Sequence, residues 1–92
     1  MTRSFPRNDE EWGMRPYFLW DYDISWRDFE KALRSPSSFR REWSWQRLLT
    51  SANWNDIWNL VSVDEIASML PELPRLRDAS FWTVVVDVAR TR

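Results

Sequence analysis

Asp21 and Asp23, together with Arg40, Arg41 and Arg47, are the residues of this 92-residue chain whose types and spacing could do chemistry. Two carboxylates can hold a hard cation or move a proton. Here they stand without a nearby glycine or a third ligand, which fits a solvated strand edge or a helix cap better than a metal site. The arginines could grip phosphates, but Glu42 interrupts them. The chain has 13 basic and 14 acidic residues, a net charge of −1. That balance argues against a sequence-independent hold on DNA or RNA, which needs a basic surface. Histidine and cysteine are absent, which removes the commonest general base, the thiolate nucleophile and zinc–thiolate chemistry. Gly13 is the sole glycine, so there is no Gly-rich phosphate loop. We therefore expect no catalytic residue, no cofactor and no metal. An enzyme would need Asp21, Asp23 and Arg47 to converge in a cleft.

The composition points to binding instead. Eight tryptophans occur in 92 residues, and tryptophan is over-used both in small cores and at protein-binding hot spots. The length suits one domain, which at this size buries only about 60–65% of its unfolded surface. Large aromatics offset that handicap. No apolar run approaches the ~20 residues of a membrane span. No apolar signal segment opens the chain, so a cytoplasmic address is expected.

The periodicity predicts the elements that position these residues. Residues 1–16, broken by Pro6, Gly13 and Pro16, read as a flexible tail, with Trp12 and Met14 the residues that could dock. Tyr17–Ile24 alternates, with Phe18, Trp20, Tyr22 and Ile24 on one side, as a short strand or extended segment would. Ser25 caps a helix striped by Trp26, Phe29, Ala32 and Leu33 and stopped before Pro36. Ser37 or Ser38 starts a second, running to about Ser51, with Trp45, Leu48, Leu49 and Ala52 on one face. Asn53 caps a third, with Trp54, Ile57, Trp58 and Val61 at i, i+3, i+4, i+7 and Asn55, Asp56 and Asn59 opposite. Ser62 and Glu65 form a capping box that opens a fourth, with Ile66, Met69 and Leu70 inward. Pro71 and Pro74 end it, and Leu73 and Leu76 pin the loop that carries Arg75 and Arg77. Phe81–Ala89 suits a helix whose apolar arc covers about 200°, or a strand of alternating valines paired with residues 17–24.

Phe39 and Trp43 stand apart. They lie roughly 150° round the second helix from its main stripe, at 100° per residue. Arg40 and Arg47 flank them. An aromatic–arginine patch is the composition of an interface hot spot. The alternative is that another helix, or the tail through Trp12, covers Trp43. Trp54 and Trp58 are expected in the core, as are Trp20, Trp26, Trp45 and Trp82. The candidate partner-binding residues are Phe39, Arg40, Trp43 and Arg47, with Arg75 and Arg77 as second choices.

The string Tyr17-Phe18-Leu19-Trp20-Asp21-Tyr22-Asp23, followed by Leu48-Leu49, Trp54-Asn55-Asp56-Ile57-Trp58, Leu60, Glu65-Ile66, Leu70 and Phe81-Trp82, resembles a group of small uncharacterised bacterial domains. The resemblance runs over about residues 17–85. Members of that group are often encoded beside nucleotidyltransferase-like toxins of the abortive-infection type, which implies an antitoxin or accessory role. The group carries glycines at the turns flanking the third helix, where this chain has Ala52-Asn53 and Ser62. The resemblance brings no functional residues with it.

The expected fold is mainly α: a compact domain over residues 17–92, of four to five short helices around a tryptophan-rich core. The alternative is an α+β fold in which residues 17–24 and 81–88 pair as two strands. The expected function is a non-catalytic protein-binding module, the partner being another protein such as a cognate toxin. Homo-oligomerisation is left open and no membrane is implied. The rival is a helix-turn-helix-like DNA-binding regulator built from the third and fourth helices. Asp64 and Glu65 would open its recognition helix and repel phosphates.

Overall fold

The computed structural model describes residues 5–19 and 21–91. Among the described residues six helices follow one another: α1 (Asp9–Trp12), α2 (Trp26–Leu33), α3 (Ser38–Ser51), α4 (Trp54–Leu60), α5 (Val63–Met69) and α6 (Ala79–Arg90). Short 3-10 turns span Tyr17–Leu19 and Leu70–Glu72. No strand occurs among the described residues. The mainly α expectation holds, with one helix more than the four to five foreseen.

The helix starts follow their capping residues. Ser25, Ser37, Asn53 and Ser62 each accept a hydrogen bond from the backbone N–H three residues on, which satisfies one of the four free donors of a helix N-terminus. The Ser62–Glu65 box closes in both directions.

The expected alternation over residues 17–24 is not an extended segment. The Leu19 N–H donates to the Pro16 carbonyl and the Tyr22 N–H to the Leu19 carbonyl. The chain therefore turns, and Phe18 and Leu19 are buried in succession rather than on opposite sides. With residues 81–88 inside α6, the two-stranded alternative is not realised. Trp20 lies outside the described residues.

The expected tail lies on the domain from residue 5 onward. Asn8 caps α1, and Pro6 and Pro16 are buried. Phe5 meets Trp12 and Trp26 edge-on at 5.4 and 5.5 Å. Arg27 on α2 donates to the Asp9 carbonyl, and the Trp26 N–H to the Met14 carbonyl. Polar composition concealed this docking, because three aromatics supply the contact. Met14, the other residue expected to dock, stays exposed.

Trp26, Trp45 and Trp82 lie in the core with Phe29, Leu33, Leu48, Ile57, Ile66 and Leu73. The Trp45 indole N–H donates to the Leu33 carbonyl at 2.9 Å. That carbonyl belongs to the last turn of α2 and has no intrahelical partner, so one bond settles two polar groups in the interior. Leu73 and Leu76 pin the loop before α6, as expected.

Arginines fasten the helices at their ends. Arg34 donates to the Leu60 carbonyl and to both oxygens of Glu65, joining the end of α2 to α4 and α5. Arg41 joins Ser35 to Glu72, and Arg90 on α6 pairs with Asp64 on α5. The planar guanidinium suits such two-pronged contacts better than a lysine would.

Candidate functional site

A groove of about 790 Å³, open to solvent, runs between α2 and α3; its lining includes Asp23, Asp28, Lys31, Phe39, Arg40 and Trp43. Ser37 caps α3, so its first turn projects Phe39 and Arg40 from the groove's edge. Phe39 is 81% exposed, more than any other large apolar residue described. One turn on, the Ser44 hydroxyl donates back to the Arg40 carbonyl and is itself buried. Beside Arg40 the groove is therefore lined by a small side chain tucked inward rather than by a bulky one that would fill it.

Trp43 is partly covered. The Tyr22 ring stands edge-on to it at 5.0 Å. The Arg47 guanidinium lies 4.8 Å from the Tyr22 ring centre and 5.5 Å from that of Trp43, and it donates to the Tyr22 hydroxyl at 3.0 Å. Such cation–π contacts hold both rings. The cover is the loop after the first 3-10 turn, not another helix and not Trp12, which packs on Phe5.

Three of the expected site residues, Phe39, Arg40 and Trp43, thus share one groove. Arg47 joins them through Trp43, committed to the aromatic pair. Arg75 and Arg77 are exposed on the loop before α6 and do not line the groove.

Of the two paired carboxylates, Asp23 lines the groove and Asp21 does not. Asp23 pairs with Arg15 at 3.5 Å, whereas Arg47 is bound to Tyr22. Among the described residues no three acidic, histidine or cysteine side chains group so as to hold a metal ion. No described helix is long and apolar enough to cross a membrane.

Two features escaped the sequence reading. The first is a polar pair in the interior. Asp56, expected on the outer face of α4, is 5% exposed. The Tyr17 hydroxyl donates to its carboxylate at 2.7 Å and accepts from the Asn53 N–H at 2.8 Å. Burial, then the bond to Asp56, push the Tyr17 phenol up to about 12. This pair ties the N-terminal segment to the start of α4.

The second is an exposed aromatic surface. Trp54 and Trp58 were expected in the core, yet Trp54 is 50% exposed and Trp58 only partly buried. Ile57 and Val61 of the expected face are buried, but Asp56 and Leu60 face inward with them. Asp56 lies about 200° round the helix from Trp54 and is bound from within by Tyr17, while Trp54 lies to the outside. Trp54 stacks on Trp82 at 5.8 Å and meets Phe81 at 6.4 Å. Phe81, Val84 and Val88, at 54, 59 and 52% exposure, continue the surface along α6. The signal was present in the sequence: an apolar arc of about 200° on a helix exceeds what one packed side can bury.

Comparison with family models, curated proteins and solved structures returns no match.

Proposed function

We propose that this chain is a non-catalytic protein-binding module that seats a partner's segment in the groove between α2 and α3. The exposure of Phe39 at the groove's edge carries the reading, because a ring left this far in water is stabilised by any partner that covers it. Arg40 and Lys31 offer charge to a carboxylate, and Asp23 and Asp28 set a limit on how acidic the segment can be. The preferred segment therefore presents an apolar side chain to Phe39 and Trp43 and a carboxylate to Arg40. The resemblance to small bacterial domains encoded beside nucleotidyltransferase-like toxins supports an antitoxin or accessory role, acting by covering the partner's surface. A helix-turn-helix reading gains no support from the geometry. Helix α5 opens with Asp64 and Glu65, which would face phosphates with negative charge.

Affinity capture from the native host tests the proposal, with wild type, Phe39→Ala and Arg40→Glu as parallel baits. The expected result is one protein, the product of a neighbouring gene, retained by wild type and lost by both variants. Equal retention by all three baits would contradict the proposal.

A further inference from the structure

The groove between α2 and α3 carries opposite charges at its two ends. Helix α2 lines it with Asp28 near its start and Lys31 near its end. The short link over residues 34–37 turns the chain back, so Phe39 and Arg40 at the start of α3 stand at the Lys31 end. Asp23 marks the other end with Trp43, whose ring meets that of the neighbouring Tyr22 at 5.0 Å.

Not all of these charges are engaged within the chain. Arg34 also lines the groove but is held by Glu65 and the Leu60 carbonyl. Asp23 pairs with Arg15 at 3.5 Å, an exposed contact of the kind that contributes little. Among the described residues Asp28, Lys31 and Arg40 are exposed and take part in no ion pair. One anion and two cations are thus open to an occupant, on opposite ends of one apolar floor.

Resting on the reading of the groove as a seat for a partner's segment, we infer that the occupant is a linear segment of opposite end charges. A basic side chain meets Asp28 and Asp23, an apolar one fits between Phe39 and Trp43, and a carboxylate meets Arg40 and Lys31. An all-acidic segment would set a carboxylate on Asp28, and an all-basic one would set a cation on Arg40; each like-charge contact is unfavourable. Spacing suits a short motif. Asp28 and Lys31 stand about 4.5 Å apart along the axis of α2, and side chains splay outward from there. In an extended chain, residues two apart span about 6.6 Å and point to one side, while the residue between them points to the other. Basic–apolar–acidic is therefore the shortest pattern that serves both ends. The apolar contact supplies most of the affinity, and the exposed charges select the sequence.

A library of random linear peptides displayed on phage, selected on the immobilised full chain, tests this. Wild type is expected to enrich peptides with a basic and an acidic residue flanking an apolar one. Asp28→Lys should replace the preferred basic residue by an acidic one, and Arg40→Glu should do the reverse. A synthetic peptide of the wild-type consensus should bind each variant at least ~5-fold more weakly. Circular dichroism should show both variants folded, since both side chains are exposed. Asp28→Asn, closest in shape, should simply lose the basic preference. Apolar peptides enriched without charge preference, or charge preferences that no variant moves, would overturn the inference and leave the groove reading standing. No enrichment at all, or equal enrichment by Phe39→Ala, would overturn both.

Discussion

The start of α3 and the α4–α6 surface both present aromatic side chains, and they do so for opposite reasons. On α3, Phe39 and Trp43 are out of phase with a well-packed stripe, and the Tyr22 loop with Arg47 partly covers Trp43. On α4, Trp54 is in phase with its helix's apolar face, yet half of it stays in water. Periodicity therefore tells which residues share a side, not which side faces the core. On the inward side of α4, beside Ile57 and Leu60, Asp56 is met by a partner from outside the helix, Tyr17. A residue out of phase can be covered by a loop, and a residue in phase can be turned outward.

The comparison breaks most sharply at Trp82. Truncating it to alanine empties a core site and is expected to cost about 3–5 kcal/mol in denaturant unfolding. Trp54→Ala, although drawn from the same stacked pair, should cost less than half as much. Equal losses would mean that Trp54 packs as core.

Tyr17→Phe comes next, at about 1–3 kcal/mol, because it leaves the buried Asp56 carboxylate without its donor. The same contact predicts an alkaline limit. The phenol is raised from 10 to about 12 in the folded chain, so its contribution is fully present below pH 10 and is lost as the pH rises towards 12. A stability curve across that range should fall more steeply for wild type than for Tyr17→Phe.

Arg47→Ala should cost about 0.5–1 kcal/mol through the lost cation–π contacts, and should raise the mobility of Tyr22 in nuclear magnetic resonance relaxation. Phe39→Ala should stay within about 0.5 kcal/mol of wild type, the usual range for an exposed position. A larger loss at Phe39 than at Trp54 would reverse the contrast between the two regions.

Local rules written in the residues made much of the fold legible. Ser25, Ser37, Asn53 and Ser62 mark four helix starts, because a short side-chain oxygen before an apolar stripe has one dominant use. Trp26, Trp45 and Trp82 were legible as core from spacing alone. The turn at residues 17–19 was not, because Tyr17, Phe18 and Leu19 fit an alternating pattern until the Pro16 carbonyl captures the Leu19 N–H. The docking of residues 5–16 depends on Phe5, Trp12 and Trp26 meeting across the chain, which no local period encodes. At the groove, Phe39 and Trp43 announced themselves by phase. The acidic wall of Asp23 and Asp28 did not, since it forms only when the loop before α2 and the first turn of α2 lie beside α3.

The groove edge at Phe39, rather than the α4–α6 surface, is expected to engage the partner. Calorimetric titration of the partner retained in affinity capture against purified Phe39→Ala and Trp54→Ala tests it most directly. Binding is expected to be at least ~10-fold weaker, about 1.4 kcal/mol, for Phe39→Ala and unchanged for Trp54→Ala. Full affinity with Phe39→Ala and a loss with Trp54→Ala would contradict it.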